Sequence, residues 1–173
     1  MLIRQETAAD TDTVYDVVKK AFENAVHTNH DEQNLVRRLR KSDTFIPELS
    51  LVAEENGKIV GHILFTKLKV GETVQLSLAP LSVLPEYQNR GIGGQLIHAG
   101  HSRAKAMGYD YVILIGHADY YPRFGYFPAA RIGVTVPFDV PEENLMAFSL
   151  QGKNMPLNGV PEYAKAFFEE GDI

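Results

Sequence analysis

The sequence predicts a single α/β or α+β domain in which helices cover a mixed sheet. Apolar residues alternate between strand and helix periods in the order β-α-α-β-β-β-α-β-α-β. The 173 residues are 45% hydrophobic and 23% charged, which suits one soluble domain with a full core. No low-complexity stretch or linker divides the chain, so residues 1–173 are expected to fold as one unit.

The first half is predicted to hold two helices after a short strand, residues 2–5. Thr7 and Asp10 have the spacing of a capping box, and Asp31 can cap the second helix. Three strands then follow at residues 50–54, 58–66 and 74–83, and Asn56-Gly57 is a strong hairpin signal between the first two. The apolar stripes of the two helices are Val14, Val17, Val18, Ala21 and Phe22, then Leu35, Val36 and Leu39.

The second half begins with a central helix that ends at Gly108, a residue suited to the C′ position. Residues 111–115 form a continuous apolar run, as expected of a strand covered on both faces. The proline- and glycine-rich segment 128–173 is predicted to contain strands near 132–136 and 146–150 and a last helix at 161–169. The stripe of the central helix is Ile92, Leu96, Ile97, Ala104 and Met107.

Composition excludes several classes of protein. Without cysteine the chain has no disulfide, thiolate metal site or catalytic cysteine. The net charge of −5 argues against nucleic acid as a partner, and no apolar run or leader pattern predicts a membrane span or secretion. A cytoplasmic location is therefore expected. His98 and His101 form an H-x-x-H pair, but no further ligand has a telling spacing, so the pair is interpreted as an exposed helix face and no metal is expected.

A glycine-rich stretch opens the central helix and reads Gln88-Asn89-Arg90-Gly91-Ile92-Gly93-Gly94-Gln95. Backbone N–H groups at a helix N-terminus lack helical partners, and together with the helix dipole they form a pyrophosphate site. The glycines allow close approach of the phosphates, and Arg90 adds a positive charge at the rim. A plain strand-to-helix connection is the structural alternative. Leu96 replaces the third Rossmann glycine and G-K-[S/T] is absent, which disfavours an NAD- or ATP-binding regulator.

Three segments in one order resemble the GNAT superfamily of acetyl-CoA-dependent N-acetyltransferases. The strand end Leu81-Ser82-Val83-Leu84-Pro85-Glu86-Tyr87 and the loop after it look like the pyrophosphate-binding motif of that family. Tyr121-Pro122-Arg123-Phe124-Gly125-Tyr126 looks like the Y-x-x-x-G-[F/Y] motif. The resemblance runs from Met1 to about Tyr126, and the run from Gly116 to Tyr126 looks like a largely uncharacterised bacterial branch.

The resemblance implies a mostly antiparallel sheet whose two central parallel strands splay apart. The gap would receive the pantetheine arm of acetyl-CoA on backbone groups of Leu81 and Val83. The pyrophosphate would lie on the N–H groups of Gln88, Asn89, Arg90, Gly91, Ile92, Gly93 and Gly94. The cofactor-binding core would then span about 74–127. The extension at about 128–173 would either cover the acceptor pocket or form a homodimer contact, and the sequence leaves both open.

The resemblance also assigns catalytic candidates. Tyr121 lies four residues before Gly125, where the family usually carries the tyrosine that protonates the leaving thiolate; Tyr120 is the second choice, and packing alone is the structural alternative for both. His117 is the candidate base, although it could equally cap the turn, and ordered water is a further alternative. Glu32 is a weaker candidate base, interpreted in preference as a solvated helix carboxylate.

The predicted activity is transfer of acetyl from acetyl-CoA to a primary amine by direct attack, without a covalent enzyme intermediate. The alternative from another class is a non-catalytic acyl-CoA-binding or sensing module, which would keep the glycine-rich loop and dispense with the proton chemistry. Polyamine, amino-sugar, amino-acid and protein amines all remain open as acceptors.

Overall fold

The computed structural model describes residues 1–26 and 28–169. Its sheet has the strand order β1-β2-β3-β4-β5-β7-β6, and β8 pairs with β3 outside that order. The strands are β1 (Leu2–Gln5), β2 (Phe45–Glu55), β3 (Lys58–Val70), β4 (Thr73–Val83), β5 (Tyr111–Ile115), β6 (Phe127–Pro128), β7 (Leu145–Ser149) and β8 (Pro161–Glu162). The helices are α1 (Thr11–Phe22), α2 (Glu32–Arg40) and α3 (Ile92–Ala106). The α/β class and the mostly antiparallel sheet are therefore confirmed.

Side chains of β3 alternate between the two faces of the sheet, and helices pack against both faces. On one face, a Cβ added at Gly61 would lie 3.1 Å from Leu96 of α3. On the other face, His62 reaches Glu6, whose carboxylate binds Arg40 at the end of α2. The predicted capping box is also present, since the Thr7 N–H donates to Asp10 before α1 begins.

The predicted splay is present at the centre of the sheet. Among the strands that the structure describes, β4 and β5 form the only parallel pair, and they pair only at Leu76–Val112 and Ser77–Ile113. Beyond these residues β4 continues to Val83 while β5 ends at Ile115. The two strands therefore leave an open gap at their carboxyl ends.

Two predictions for the C-terminal segment are wrong. The predicted strand at 132–136 is broken because a 3-10 turn, Ala129–Ile132, ends at Gly133 with a φ of 73°. The predicted helix at 161–169 is instead the short strand β8 followed by a single 3-10 turn, Lys165–Phe167. β8 extends the sheet alongside the end of β3, beyond the last residue pair between β2 and β3, so the chain gains ladder hydrogen bonds that a helix would forgo. The strand predicted at 146–150 is β7.

No helix in the described ranges is long and apolar enough to cross a membrane. Within the same ranges, no group of three or more histidine, aspartate or glutamate side chains is arranged to hold a metal ion.

Candidate functional site

A large cavity of about 1730 Å³ opens where β4 and β5 diverge. Its lining comes from the end of β4, the glycine-rich loop, the turn after β5, the α1–α2 region and the loop at 139–144. The structure thus brings together ten of the eleven predicted site residues: Leu81, Val83, Gln88, Asn89, Gly91, Ile92, Gly93, Gly94, His117 and Tyr121. Arg90 does not line the cavity; it is exposed, with its guanidinium 5.1 Å from the Tyr87 ring centre.

The edge of β4 turns backbone groups toward the gap at positions where β5 does not pair with it. The Leu84 N–H donates to the Val60 carbonyl of β3 at 2.9 Å, and such bonds alternate along an antiparallel pair. The backbone groups of Val83 and Leu81 therefore point away from β3 and toward the gap. Gln88 supports this direction, because its Nε2 donates to the Val83 carbonyl at 3.0 Å from the cavity side.

The glycine-rich loop turns sharply before α3 begins. Asn89 and Gly91 both have left-handed backbone conformations, with φ values of 63° and 80°. Glycine adopts this conformation without strain, and Gly91 is the N-cap residue of α3. The N–H groups of the first helical turn, from Ile92 to Gly94, have no acceptor within the helix. This turn therefore offers backbone donors and the positive end of the helix dipole.

Gly93 and Gly94 lie inside the first turn of α3. A Cβ at Gly93 would lie 2.5 Å from the Tyr120 hydroxyl, and one at Gly94 would lie 2.9 Å from the Phe124 ring. The turn Tyr121–Phe124 and the residue before it therefore pack directly on α3. Close packing of aromatic side chains is a reason for these glycines that the motif alone did not reveal.

Tyr121 lies at the open end of β5. A Cβ added at Gly116 would be 2.6 Å from the Tyr121 ring, and the Tyr126 ring stands edge-on with centroids 5.6 Å apart. In the described ranges the Tyr121 hydroxyl has no hydrogen-bond partner, and it is not among the sealed, unpaired polar groups. Burial raises its pKa above the ordinary value near 10, so the hydroxyl keeps its proton at neutral pH.

One loop of the C-terminal segment, at 139–144, borders the cavity. The Gly116 N–H donates to the Asn144 carbonyl at 2.9 Å, and Asn144 Nδ2 donates to the Gly116 carbonyl at 2.8 Å. These two hydrogen bonds fix the loop at 139–144 against the end of β5, next to the exposed His117. Asp139 and Val140 line the cavity as a result, and no pattern in the proline-rich segment had singled them out.

Two polar residues lie in environments that differ from the predicted ones. Glu32 is not a solvated helix carboxylate: it lines the cavity, Thr28 Oγ1 donates to its Oε2, and its Oε1 is buried. His101 is not on an exposed face. It is 7% exposed, shares a 2.8 Å hydrogen bond with the Tyr126 hydroxyl and stacks on Phe148. Burial lowers the pKa of His101 to about 4, so it is neutral at pH 7.

Comparisons with known proteins agree with this geometry. Residues 2–129 match the family model described as an acetyltransferase (GNAT) domain. The chain belongs to the GNAT superfamily. It is 42% identical over 136 residues to the uncharacterised N-acetyltransferase YjhQ of Escherichia coli K12, covering 74% of this chain and 75% of YjhQ. It is 34% identical over 134 residues to the uncharacterised N-acetyltransferase YhbS of the same organism, covering 76% of each chain.

Solved GNAT structures extend the similarity to the C-terminal segment. The structure of Escherichia coli YhbS in complex with CoA matches with a TM-score of 0.86 and 27% identity, over 98% of this chain and 93% of the other. A GNAT acetyltransferase from Brucella melitensis in complex with acetyl-CoA matches with a TM-score of 0.80 and 32% identity, over 96% and 97%. Fold and family together make this GNAT chain an acyltransferase.

Proposed function

We propose that this chain transfers the acetyl group of acetyl-CoA to a primary amine by direct attack in a ternary complex. The carrying observation is the open β4–β5 gap, in which the backbone groups of Leu81 and Val83 face a cavity that continues to the first turn of α3. The pantetheine arm would add to the edge of β4 like a further strand, and the pyrophosphate would accept hydrogen bonds from residues 88–94. CoA and acetyl-CoA in the YhbS and Brucella structures support this assignment.

Positioning and electrostatics would supply most of the catalysis. The amine nitrogen forms a bond to the acetyl carbon, and the carbon–sulfur bond then breaks, so negative charge develops first on oxygen and then on sulfur. A backbone N–H in the range 81–83 that faces the gap, that of Leu81 or Val83, is the proposed donor to the oxyanion. No covalent bond to the protein is required, which agrees with the absence of cysteine.

Tyr121 is the proposed donor to the leaving sulfur. Tyr121 lines the cavity, and its hydroxyl has no partner in the described part of the chain and stays protonated because burial raises its pKa. The reacting amine must lose a proton, and His117 at the cavity edge is the proposed acceptor, with ordered water as the alternative. The proton that the amine loses balances the one that the thiolate gains.

The first experiment is calorimetric titration of acetyl-CoA, CoA and NAD, combined with a thiol-release assay over a panel of amines. Micromolar acetyl-CoA binding and amine-dependent thiol release are the expected results. Acetyl-CoA binding without thiol release with any amine would favour the alternative, a non-catalytic acyl-CoA-sensing module. Failure to bind CoA or acetyl-CoA would refute the role given to residues 88–94.

The role of Tyr121 is tested by Tyr121→Phe, with Tyr163→Phe as a matched control. Tyr163 has a buried hydroxyl without a partner in the described ranges, and Tyr163 does not line the cavity. Tyr121→Phe is expected to lower kcat by about 100-fold or more and to leave the Kd of acetyl-CoA within about twofold, whereas the control keeps wild-type values. If Tyr120→Phe caused the loss instead, the acid would be Tyr120.

A further inference from the structure

One arginine lines the cavity beside the first turn of α3. Among the described residues around the cavity, Arg123 is the only lysine or arginine. Its Nε donates to the Tyr120 carbonyl at 3.3 Å, and its guanidinium lies 4.6 Å from the centre of the Tyr120 ring. A hydrogen bond to Nε and a ring against the guanidinium plane together restrict the orientation of an arginine. The positive charge of Arg123 is therefore held at the cavity surface.

The outer edge of this guanidinium is free to bind a ligand. In the described ranges no carboxylate forms an ion pair with Arg123, and neither of its Nη atoms has a hydrogen-bond partner. The two Nη atoms carry most of the N–H donors of an arginine, in a fork that matches the oxygens of a phosphate group. Arg123 therefore presents unoccupied phosphate-binding donors to the cavity.

Two aromatic rings fix the position of Arg123 relative to the proposed pyrophosphate site. A Cβ added at Gly93 would lie 2.5 Å from the Tyr120 hydroxyl, so the ring under the guanidinium also touches the first turn of α3. The Phe124 ring, 5.7 Å from the guanidinium, packs in the same way on Gly94. One aromatic side chain thus stands between Arg123 and the backbone donors of α3. A pyrophosphate would occupy those donors, and Arg123 is placed to bind a further anionic group of the same ligand.

Acetyl-CoA carries such a group, because its ribose bears a phosphate on the 3′-oxygen, beyond the pyrophosphate and away from the pantetheine arm. A phosphate monoester has a charge of about −1.5 to −2 at neutral pH. Arg123 is exposed, which suits the outer end of a ligand whose pantetheine arm enters the gap. We propose that Arg123 binds this 3′-phosphate and makes the protein discriminate CoA from 3′-dephospho-CoA. The inference rests on the proposed cofactor site and adds a specificity-determining residue to it.

Titration calorimetry with CoA and 3′-dephospho-CoA measures this discrimination without relying on turnover. For the wild-type protein we expect the Kd of CoA to be lower than that of 3′-dephospho-CoA by at least about tenfold, as for charge-assisted hydrogen bonds. Equal Kd values would overturn the inference and leave the cofactor site and the acetyl transfer standing. Binding of neither ligand would overturn the inference together with the cofactor site. A preference for CoA without amine-dependent thiol release would support the inference and refute the acetyl transfer alone.

A variant assigns the discrimination to its residue. Arg123→Gln is expected to raise the Kd of CoA about tenfold and to leave that of 3′-dephospho-CoA within about twofold, which also shows that the variant keeps a folded cofactor site. Arg131→Gln is the matched control, because exposed Arg131 likewise lies over an aromatic ring, 4.9 Å from the centre of Phe127, and does not line the cavity. An equal loss of affinity for both ligands would place Arg123 on the pyrophosphate and overturn the inference. An unchanged Kd of CoA would overturn it as well.

Discussion

Replacement of Glu6 by glutamine is expected to destabilise the protein, because it removes a buried carboxylate that joins the end of β1 to α2. The Glu6 side chain is 6% exposed, and its two oxygens accept hydrogen bonds from Arg40 at 2.8 and 2.9 Å. His62 Nε2 lies 3.1 Å from the same carboxylate. The cluster ties β1 and β3 to the end of α2, the helix that carries Glu32 and Leu35 into the cavity lining.

The magnitude follows from the pKa of Glu6. Burial by itself would raise it, but the hydrogen bonds and charges of His62 and Arg40 outweigh burial and lower it from 4.5 to about 2. The lowered pKa of Glu6 corresponds to roughly 3 kcal/mol of stability at neutral pH. Because the folded-state pKa is lowered, this stability is present above pH 4.5 and is lost as the pH falls toward 2. At pH 3 roughly 1 kcal/mol of this stability remains.

Urea unfolding at pH 7 and pH 3 measures this contribution. Glu6→Gln is expected to lower the free energy of unfolding by about 3 kcal/mol at pH 7, and the difference from wild type should shrink by about 2 kcal/mol at pH 3. Glu72→Gln, at an exposed turn, is the control and should change little. A Glu6→Gln variant as stable as wild type at pH 7, or a difference independent of pH, would refute the reasoning. Burial also lowers the pKa of His62, so wild type should lose further stability below pH 6.5.

Two further substitutions test packing and the cavity wall. Gly100→Ala would place a methyl group 2.1 Å from the Phe65 ring and should lower the free energy of unfolding by about 1–3 kcal/mol, whereas exposed Ser102→Ala in the same helix should not; equal urea midpoints would contradict this packing. Asn144→Ala removes the bond to the Gly116 carbonyl and should raise KM for the amine severalfold without changing the Kd of acetyl-CoA. An unchanged KM would mean that the loop at 139–144 does not shape the acceptor site.

Local signals were sufficient to predict much of the fold and most of the proposed cofactor site. The glycine-rich stretch predicted a turn at the start of a helix, and Asn56-Gly57 predicted a hairpin, because each depends on the conformation of a few consecutive residues. The continuous apolar strand 111–115 is buried at four of its five positions. The splay of β4 and β5 came from the family resemblance, since no local pattern states where two distant strands stop pairing.

The environments of single polar residues could not be predicted in the same way. His101 has the spacing of a helix surface residue, yet Tyr126 and Phe148 from other segments enclose it. Glu32 follows a helix cap, a position typical of a solvated carboxylate, but it accepts a hydrogen bond from Thr28 and lines the cavity. In both cases the deciding contact comes from outside the helical pattern. Helical periodicity describes which side a residue occupies, and it does not describe what else reaches that side.

The proposed acid is held in position from two sides by residues that have no side chain. Gly93 and Gly94 allow Tyr120 and Phe124 to lie directly on α3, and Gly116 allows the Tyr121 ring to lie against the end of β5. Larger residues at any of these positions would push the 121–124 turn away from the gap between β4 and β5. The glycine-rich motif therefore has two physical roles. Gly91 permits the turn that exposes the N–H groups of the helix. Gly93 and Gly94 let the segment that carries Tyr120 and Tyr121 pack against α3, beside the same cavity.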